Sequence, residues 1–152
     1  MKLVIQRVKY ASVKVDGNIT GQIAHGLLVL VGVETGDTEA DCDRLVAKTA
    51  ALRIFNDEKG VMNRSVADAD GCVLAVSQFT LLADVRKGNR PSYIKAARLD
   101  TAVPLYERYC VGLEAILGKK TERGIFGADM QVDLVNDGPV TIIMESRNGE
   151  IQ

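Results

Sequence analysis

At 152 residues, with 47% hydrophobic and 26% charged residues, the chain has the size and balance of one globular domain able to bury its own core. A formal net charge of −1 argues against a protein that binds nucleic acid through an overall basic excess, and no apolar run approaches the ~18 residues of a membrane helix. The three cysteines, Cys42, Cys72 and Cys110, are odd in number and widely spaced, which fits neither a disulfide framework nor a metal cluster, and the single His25 rules out a histidine-rich metal site.

Residues 2–8 read as a strand, 12–15 continue its pattern, and Asp16-Gly17-Asn18 predicts a hairpin turn into 19–24. Lys2, Arg7, Lys9 and Lys14 within this stretch do not suit a signal peptide, so the expected compartment is the cytoplasm. Residues 27–33 are continuously apolar and β-rich, the mark of a strand buried on both faces. Thr38 is a candidate N-cap with Asp41 three residues on. Beyond it, Cys42, Leu45, Val46, Thr49 and Leu52 recur at helical spacing, predicting a helix that ends near Phe55.

Asn56 to Gly71 is polar and punctuated, with room for a short strand near 61–65. Residues 72–78 form the expected central strand. Leu82 to Pro91 is a loop carrying Arg86, Lys87 and Arg90, a local basic face on a neutral chain. Helix is expected from about Ser92, at its clearest over Ala102, Leu105, Tyr106, Tyr109, Leu113, Ile116 and Leu117. Pro104 is placed in its first turn and Gly118 at its stop. Residues 129–135 and 140–146 read as two strands joined by a Gly138-Pro139 turn. Strands cluster at both ends around two helices instead of alternating as β-α-β units. That pattern predicts an α+β fold, mainly antiparallel, with helices on one side.

Two stretches carry the candidate chemistry. The apolar run Cys72 to Val76 ends abruptly in Ser77-Gln78-Phe79-Thr80, so a buried strand delivers hydroxyls and backbone N–H groups at its tip. Asn136-Asp137-Gly138-Pro139-Val140-Thr141 places two residues with little or constrained side chain between two strand-like runs. From the residues alone each has a plain structural reading as well: a polar strand end for Ser77 and Thr80, and a hairpin turn for Gly138-Pro139. Phe126 and Met130 then read as core, Arg7 as a solvated strand residue and 86–90 as a solvated loop. A Ser or Thr nucleophile needs an adjacent base, and His25 lies in a turn far along the chain. The pattern therefore points away from side-chain acid–base catalysis and toward backbone donors, an oxyanion hole or groups of the substrate itself.

Four motifs in fixed order, SQFTL at 77–81, RKGNRPSY at 86–93, GIFGADMQV at 124–132 and NDGPVT at 136–141, give the chain a resemblance to the D-aminoacyl-tRNA deacylases, once called D-tyrosyl-tRNA deacylases. The opening MKLVIQRV and GLLVLVGV at 26–33 match as well, so the resemblance covers nearly the whole chain as one domain, 1–152. It implies a three-layer sandwich of two packed, mainly antiparallel sheets with a helical layer, assembled as a homodimer. The implied reaction is hydrolysis of a D-amino acid, and also glycine, from the 3′-terminal adenosine of tRNA, with no metal or organic cofactor. Ser77, Gln78, Phe79 and Thr80 would form the catalytic end, with the N–H groups of Phe79 and Thr80 aimed at the developing oxyanion. Attack is led either by Thr80 Oγ or by water assisted by the ribose 2′-OH, and the lack of a base favours the second. Phe126 and Met130 would lie by the terminal adenosine, with Asn136 and Thr141 also binding substrate. Gly138 and Pro139, joined by a cis bond, would enter the partner's site as a filter against L-amino acids, braced by Arg7 across the dimer. Arg86, Lys87 and Arg90 would meet tRNA phosphates.

Overall fold

The computed structural model describes residues 1–152. The first element is a long strand, β1 (Lys2–Val15), followed by β2 (Asn18–Ile23) and β3 (Gly26–Gly32). Asp16 and Gly17 both take positive φ, the backbone hand that a tight hairpin between twisted strands requires. Helix α1 (Glu39–Ala51) comes next, then the small hairpin β4 (Phe55–Asn56) and β5 (Met62–Arg64), and β6 (Cys72–Ser77), expected as the central strand but found one in from the edge of its sheet. A 3₁₀ turn (Phe79–Leu82) and helix α2 (Leu99–Leu117) lead to β7 (Glu122–Arg123), β8 (Gln131–Arg147) and β9 (Glu150–Ile151).

Seven strands share one hydrogen-bonded sheet in the order β7-β6-β3-β1-β8-β9, with β2 on the distal half of β1. β1 pairs antiparallel with β2, β3 and β8, while β3-β6 and β6-β7 are parallel. The sheet folds back on itself along β1 and β8, where their register shifts on both sides of Val8. Two leaves result, and β3, in the inner one, shows why three layers form. Leu27, Val29 and Val31 face the helices, in a cluster with Leu45, Tyr106, Tyr109 and Leu113. Leu28 faces the other way, in a second cluster with Val8, Ala11, Val13, Leu74 and Val76. A strand apolar at every position is the one that must be covered on both sides. No helix is long and apolar enough to cross a membrane.

Thr38 opens α1, with its N–H and its hydroxyl both 2.9 Å from Asp41 Oδ2. The other oxygen of Asp41 accepts from Ser146 Oγ at 3.0 Å and Gly149 N–H at 2.9 Å, tying the helix start to the end of β8. Between the helices, the hydroxyls of Thr49 and Tyr109 meet at 2.9 Å. Cys42 and Cys110 are buried, and their apolar surroundings push both thiols up to about 12.

Three local expectations about the helices are corrected. α1 stops at Ala51, not near Phe55, because Leu52 turns to an extended conformation and Phe55 is recruited into β4. α2 starts at Leu99, not near Ser92. The preceding segment is held by an Asp84–Ser92 bridge and by an Ala97 N–H bond to the Val33 carbonyl at 2.9 Å. Pro104 consequently falls in the second turn of α2, where its missing N–H leaves one helical acceptor free. Gly118 does end that helix, in the left-handed conformation.

The largest correction concerns Gly138-Pro139. The chain does not reverse there: β8 is one strand running the length of β1. Gln6 pairs with Thr141 and Val8 with Asn136, so residues 137–140 bulge outward opposite Arg7 alone. A turn and a bulge look alike in local sequence, and the pairing with β1 selects the bulge.

Candidate functional site

β6 is buried along Val73–Val76 and ends where Gln78 N–H donates to the Val31 carbonyl at 2.7 Å. The chain then tightens into the 3₁₀ turn, whose first internal bond is Leu81 N–H to the Gln78 carbonyl at 3.2 Å. As at any helical start, the earlier donors have no partner inside the turn, and these are the N–H groups of Phe79 and Thr80. Gly32 lets the turn close on β3: a Cβ there would sit 2.6 Å from Leu82 Cδ2 and 3.1 Å from the Gln78 carbonyl oxygen.

The tip of β6 opens into a pocket of about 500 Å³. Ser77, Gln78 and Phe79 form one wall, residues 96–99 with Ala102 a second, and residues 126–130 with Val132 a third, over a floor of Val31, Val33 and Val76. The structure thus brings Ser77, Gln78, Phe79, Phe126 and Met130 together. Thr80 does not line the pocket, and its hydroxyl accepts a hydrogen bond from Gln78 Nε2 at 2.5 Å. The Phe126 ring stands edge-on to Tyr106, centroids 5.5 Å apart, and Tyr106 is itself anchored by its hydroxyl on the Ala75 carbonyl at 2.9 Å. Phe79 is exposed and packs edge-on against Tyr93 at 5.0 Å.

No acid–base pair stands at the tip of β6. His25 holds the Ala69 carbonyl at 2.8 Å and does not line the pocket. The two charged lining residues are Arg98 and Asp129, neither of which sequence singles out. Arg98 is the residue before α2 and so depends on locating that helix start; Asp129 lies inside the GIFGADMQV motif with no role that its neighbours imply.

Arg7, Asn136, Gly138, Pro139 and Thr141 form a second group that does not line this pocket. The Gly138–Pro139 bond is cis, and both residues are exposed at the crest of the bulge. Gly138 has φ +127°, and a Cβ there would lie 2.9 Å from both Arg7 Nη2 and Val140 Cγ2, so only glycine fits. The base is clasped by Asn136, whose Nδ2 donates to Thr141 Oγ and whose Oδ1 accepts from Val140 N–H, both at 3.0 Å. Arg7 is buried beneath the bulge. Its Nε donates to the Asp137 carbonyl at 3.1 Å and its Nη1 to the Ile54 carbonyl at 2.7 Å, so within its own chain it already holds the segment.

In the basic loop, the Arg86 guanidinium is engaged with Asp84, Nε lying 2.9 and 3.1 Å from the two carboxylate oxygens, and holds that carboxyl well below the usual carboxylate range. Lys87 and Arg90 are exposed and make no ion pair.

Comparison with known proteins places this arrangement. A sequence model described as D-Tyr-tRNA(Tyr) deacylase matches residues 4–145. The D-aminoacyl-tRNA deacylase of Flavobacterium johnsoniae is 58% identical over 150 residues, 99% of this chain and 100% of that protein. Those of Dechloromonas aromatica and Porphyromonas gingivalis are 58% and 56% identical, over 97% and 99% of this chain and 98% and 100% of theirs. Among solved structures, one titled c-Myc DNA Unwinding Element Binding Protein superposes with a TM-score of 0.90 at 41% identity, covering 97% of this chain and 99% of that one. A probable eukaryotic D-amino acid tRNA deacylase shares the fold, with a TM-score of 0.79 at 16% identity over 93% and 97%. With the family's motifs spread over the walls of the site and the match spanning nearly its whole length, the chain belongs to the D-Tyr-tRNA(Tyr) deacylase family.

Proposed function

We propose that this chain hydrolyses the ester bond of D-aminoacyl-tRNA, releasing free tRNA and the D-amino acid. The observation that carries the reading is the tip of β6: the N–H groups of Phe79 and Thr80 have no partner inside the 3₁₀ turn, and Phe79 lines an open pocket with an aromatic wall and no histidine or lysine in its lining. The naming of relatives 58% identical as D-aminoacyl-tRNA deacylases supports it.

An aminoacyl ester is already activated, so the site has little to supply beyond position and charge stabilisation. Water adds to the ester carbonyl, and the oxygen that gains the electron pair is held by the N–H groups of Phe79 and Thr80. One such donor is worth roughly 2.7–4 kcal/mol. The tetrahedral intermediate collapses with the ribose 3′-oxygen as leaving group. The substrate's own 2′-OH, vicinal to that oxygen, serves as the proton relay the protein lacks. Ser77 and Gln78 orient the tip, Phe126 offers a face on which the terminal base stacks, and Met130 packs beside it.

Chirality is read by the Gly138-Pro139 crest in the same proposal. The crest is exposed and does not line the pocket of its own chain, so it serves a pocket only by projecting into a second copy, which makes the working unit a homodimer. Main chain pressed against the substrate's Cα rejects an L side chain, because backbone has no alternative rotamer, whereas a D side chain points outward and glycine has none to reject. Glycyl-tRNA is accordingly a substrate.

The deciding assay measures deacylation of matched D-Tyr-, L-Tyr- and glycyl-tRNA, with and without a chelator. Hydrolysis of the D and glycyl esters with sparing of the L ester, unaffected by chelator, is expected. Equal rates on D and L sink the filter, and tight binding without turnover of any ester makes the protein an RNA-end binding module instead.

A further inference from the structure

The three walls of the pocket differ in chemistry, and one is unassigned. The β6 tip presents N–H donors, and the 126–130 wall presents an aromatic face. The wall at residues 96–99 is apolar except for Arg98, the sole cationic residue of the pocket lining. Five of the ten arginines pair with carboxylates, Arg7 with Asp137, Arg86 with Asp84, Arg108 with Asp43, Arg123 with Glu114 and Arg147 with Glu145, and Arg53 and Arg64 donate to backbone carbonyls. Arg44, Arg90 and Arg98 have neither ion pair nor side-chain hydrogen bond, and of these three Arg98 alone lines the pocket, with Asp129 in the same lining. An exposed, unpaired guanidinium at the rim of an apolar pocket is a planar donor fork with no acceptor from its own chain.

We infer that Arg98 grips the 5′-phosphate of the terminal nucleotide, the linkage joining the last residue of the tRNA to the one before it. The inference rests on the proposed function and extends it. A 3′-aminoacyl nucleotide presents three groups to a pocket: the ester, the base and the 5′-phosphate. With the ester carbonyl at the Phe79 and Thr80 donors and the base on Phe126, the wall left for the phosphate is that of residues 96–99. Arg98 is also the cap residue of the 19-residue helix α2, so the positive end of its peptide dipoles adds charge of the same sign at that rim. An arginine fork matches phosphate oxygens in pairs, giving register along the strand as well as attraction. Arg98 is thus a positioning residue: it sets where the ester falls and takes no part in the bond changes.

The test compares two minimal substrates differing only in that group, 3′-O-(D-tyrosyl)adenosine and 3′-O-(D-tyrosyl)adenosine 5′-monophosphate. Wild type should hydrolyse both, with the lower KM for the phosphate-bearing ester. In Arg98→Ala that preference should collapse about tenfold, the scale of one screened hydrogen-bonded charge contact, carried by KM and not kcat. Arg98→Lys should restore part of it as a point charge and Arg98→Glu should invert it, which a general loss of folding does not do. On whole tRNA, Arg98→Ala should flatten the dependence of log KM on log salt by about 0.7, the slope of one single-strand phosphate. An unchanged preference in Arg98→Ala and Arg98→Glu overturns the inference while leaving the deacylase reading intact. A wild type inactive on both esters and on D-Tyr-tRNA removes that reading and the inference with it.

Discussion

Gln78 Nε2 donates to Thr80 Oγ across one intervening residue, at 2.5 Å. The hydroxyl that sequence offers as a nucleophile is therefore occupied as an acceptor, by a group that cannot remove its proton. A hydroxyl in that position braces the turn carrying the N–H donors. Thr80→Ala should retain a substantial fraction of wild-type deacylation. Replacing the 2′-OH of the terminal ribose with hydrogen should abolish it. Trapping an acyl adduct on Thr80 would overturn both statements.

The crest at Gly138 stands on Arg7. With φ at +127° and a Cβ due 2.9 Å from Arg7 Nη2, Gly138→Ala meets both backbone strain and a clash with a buried side chain. Strain of this kind costs on the order of 1–3 kcal/mol, which the melting temperature reports. Displacing the crest should also relax chiral discrimination. A change of about 1.4 kcal/mol in that clash lowers the ratio of D-Tyr- to L-Tyr-tRNA hydrolysis tenfold. A lower melting temperature with an unaltered ratio assigns the filter to other residues.

The three cations of the 86–90 loop are not equivalent. Arg86 is neutralised by Asp84, whereas Lys87 and Arg90 have no carboxylate partner. Neutralising Lys87 and Arg90 together should reduce the salt dependence of tRNA binding by up to about 0.9 for each duplex phosphate they hold. Arg86→Ala alone should change it less, because it also releases Asp84. Binding titrations at several salt concentrations decide this, and a slope identical to wild type when Arg86, Lys87 and Arg90 are all neutralised assigns the whole loop to solvent.

Asp41 links acid stability to the fold. Burial raises its carboxyl, but the Gly149 and Thr38 N–H donors and the Thr38 and Ser146 hydroxyls outweigh that and hold it at about 2, below the ordinary 3.8. The folded value is the depressed one, so the contribution is fully present above about pH 4 and is lost as pH falls through about 2. It amounts to about 2 kcal/mol. Urea unfolding of wild type should show this loss between about pH 5 and pH 2. Asp41→Asn should be less stable at neutral pH and flatter over the acid range. Parallel curves for the two proteins place the acid sensitivity elsewhere.

Much of this protein was legible in local sequence because local rules govern it. The longer strands announced themselves by alternation or by continuous apolar runs, while the two-residue β4, β7 and β9 did not; α1 was marked by Thr38 and Asp41, the end of α2 by Gly118, and the tip of β6 by an apolar run stopping at Ser77. The lack of a base was equally plain, since the chain has one histidine. What tertiary structure decided depends on partners distant in sequence. Gly138-Pro139 reads as a turn until β1 pairs on both sides of it, Gln6 with Thr141 and Val8 with Asn136. Arg7 reads as a solvated strand residue until the Ile54 and Asp137 carbonyls converge on it from 47 and 130 residues away. Arg98 draws no notice in sequence, within a helix expected from about Ser92, until β3, the 3₁₀ turn and the 126–130 segment form a pocket beside it. Periodicity reports which face of an element is buried. Which two elements then meet is a property of the packed sheet, and no window of sequence shorter than the fold contains it.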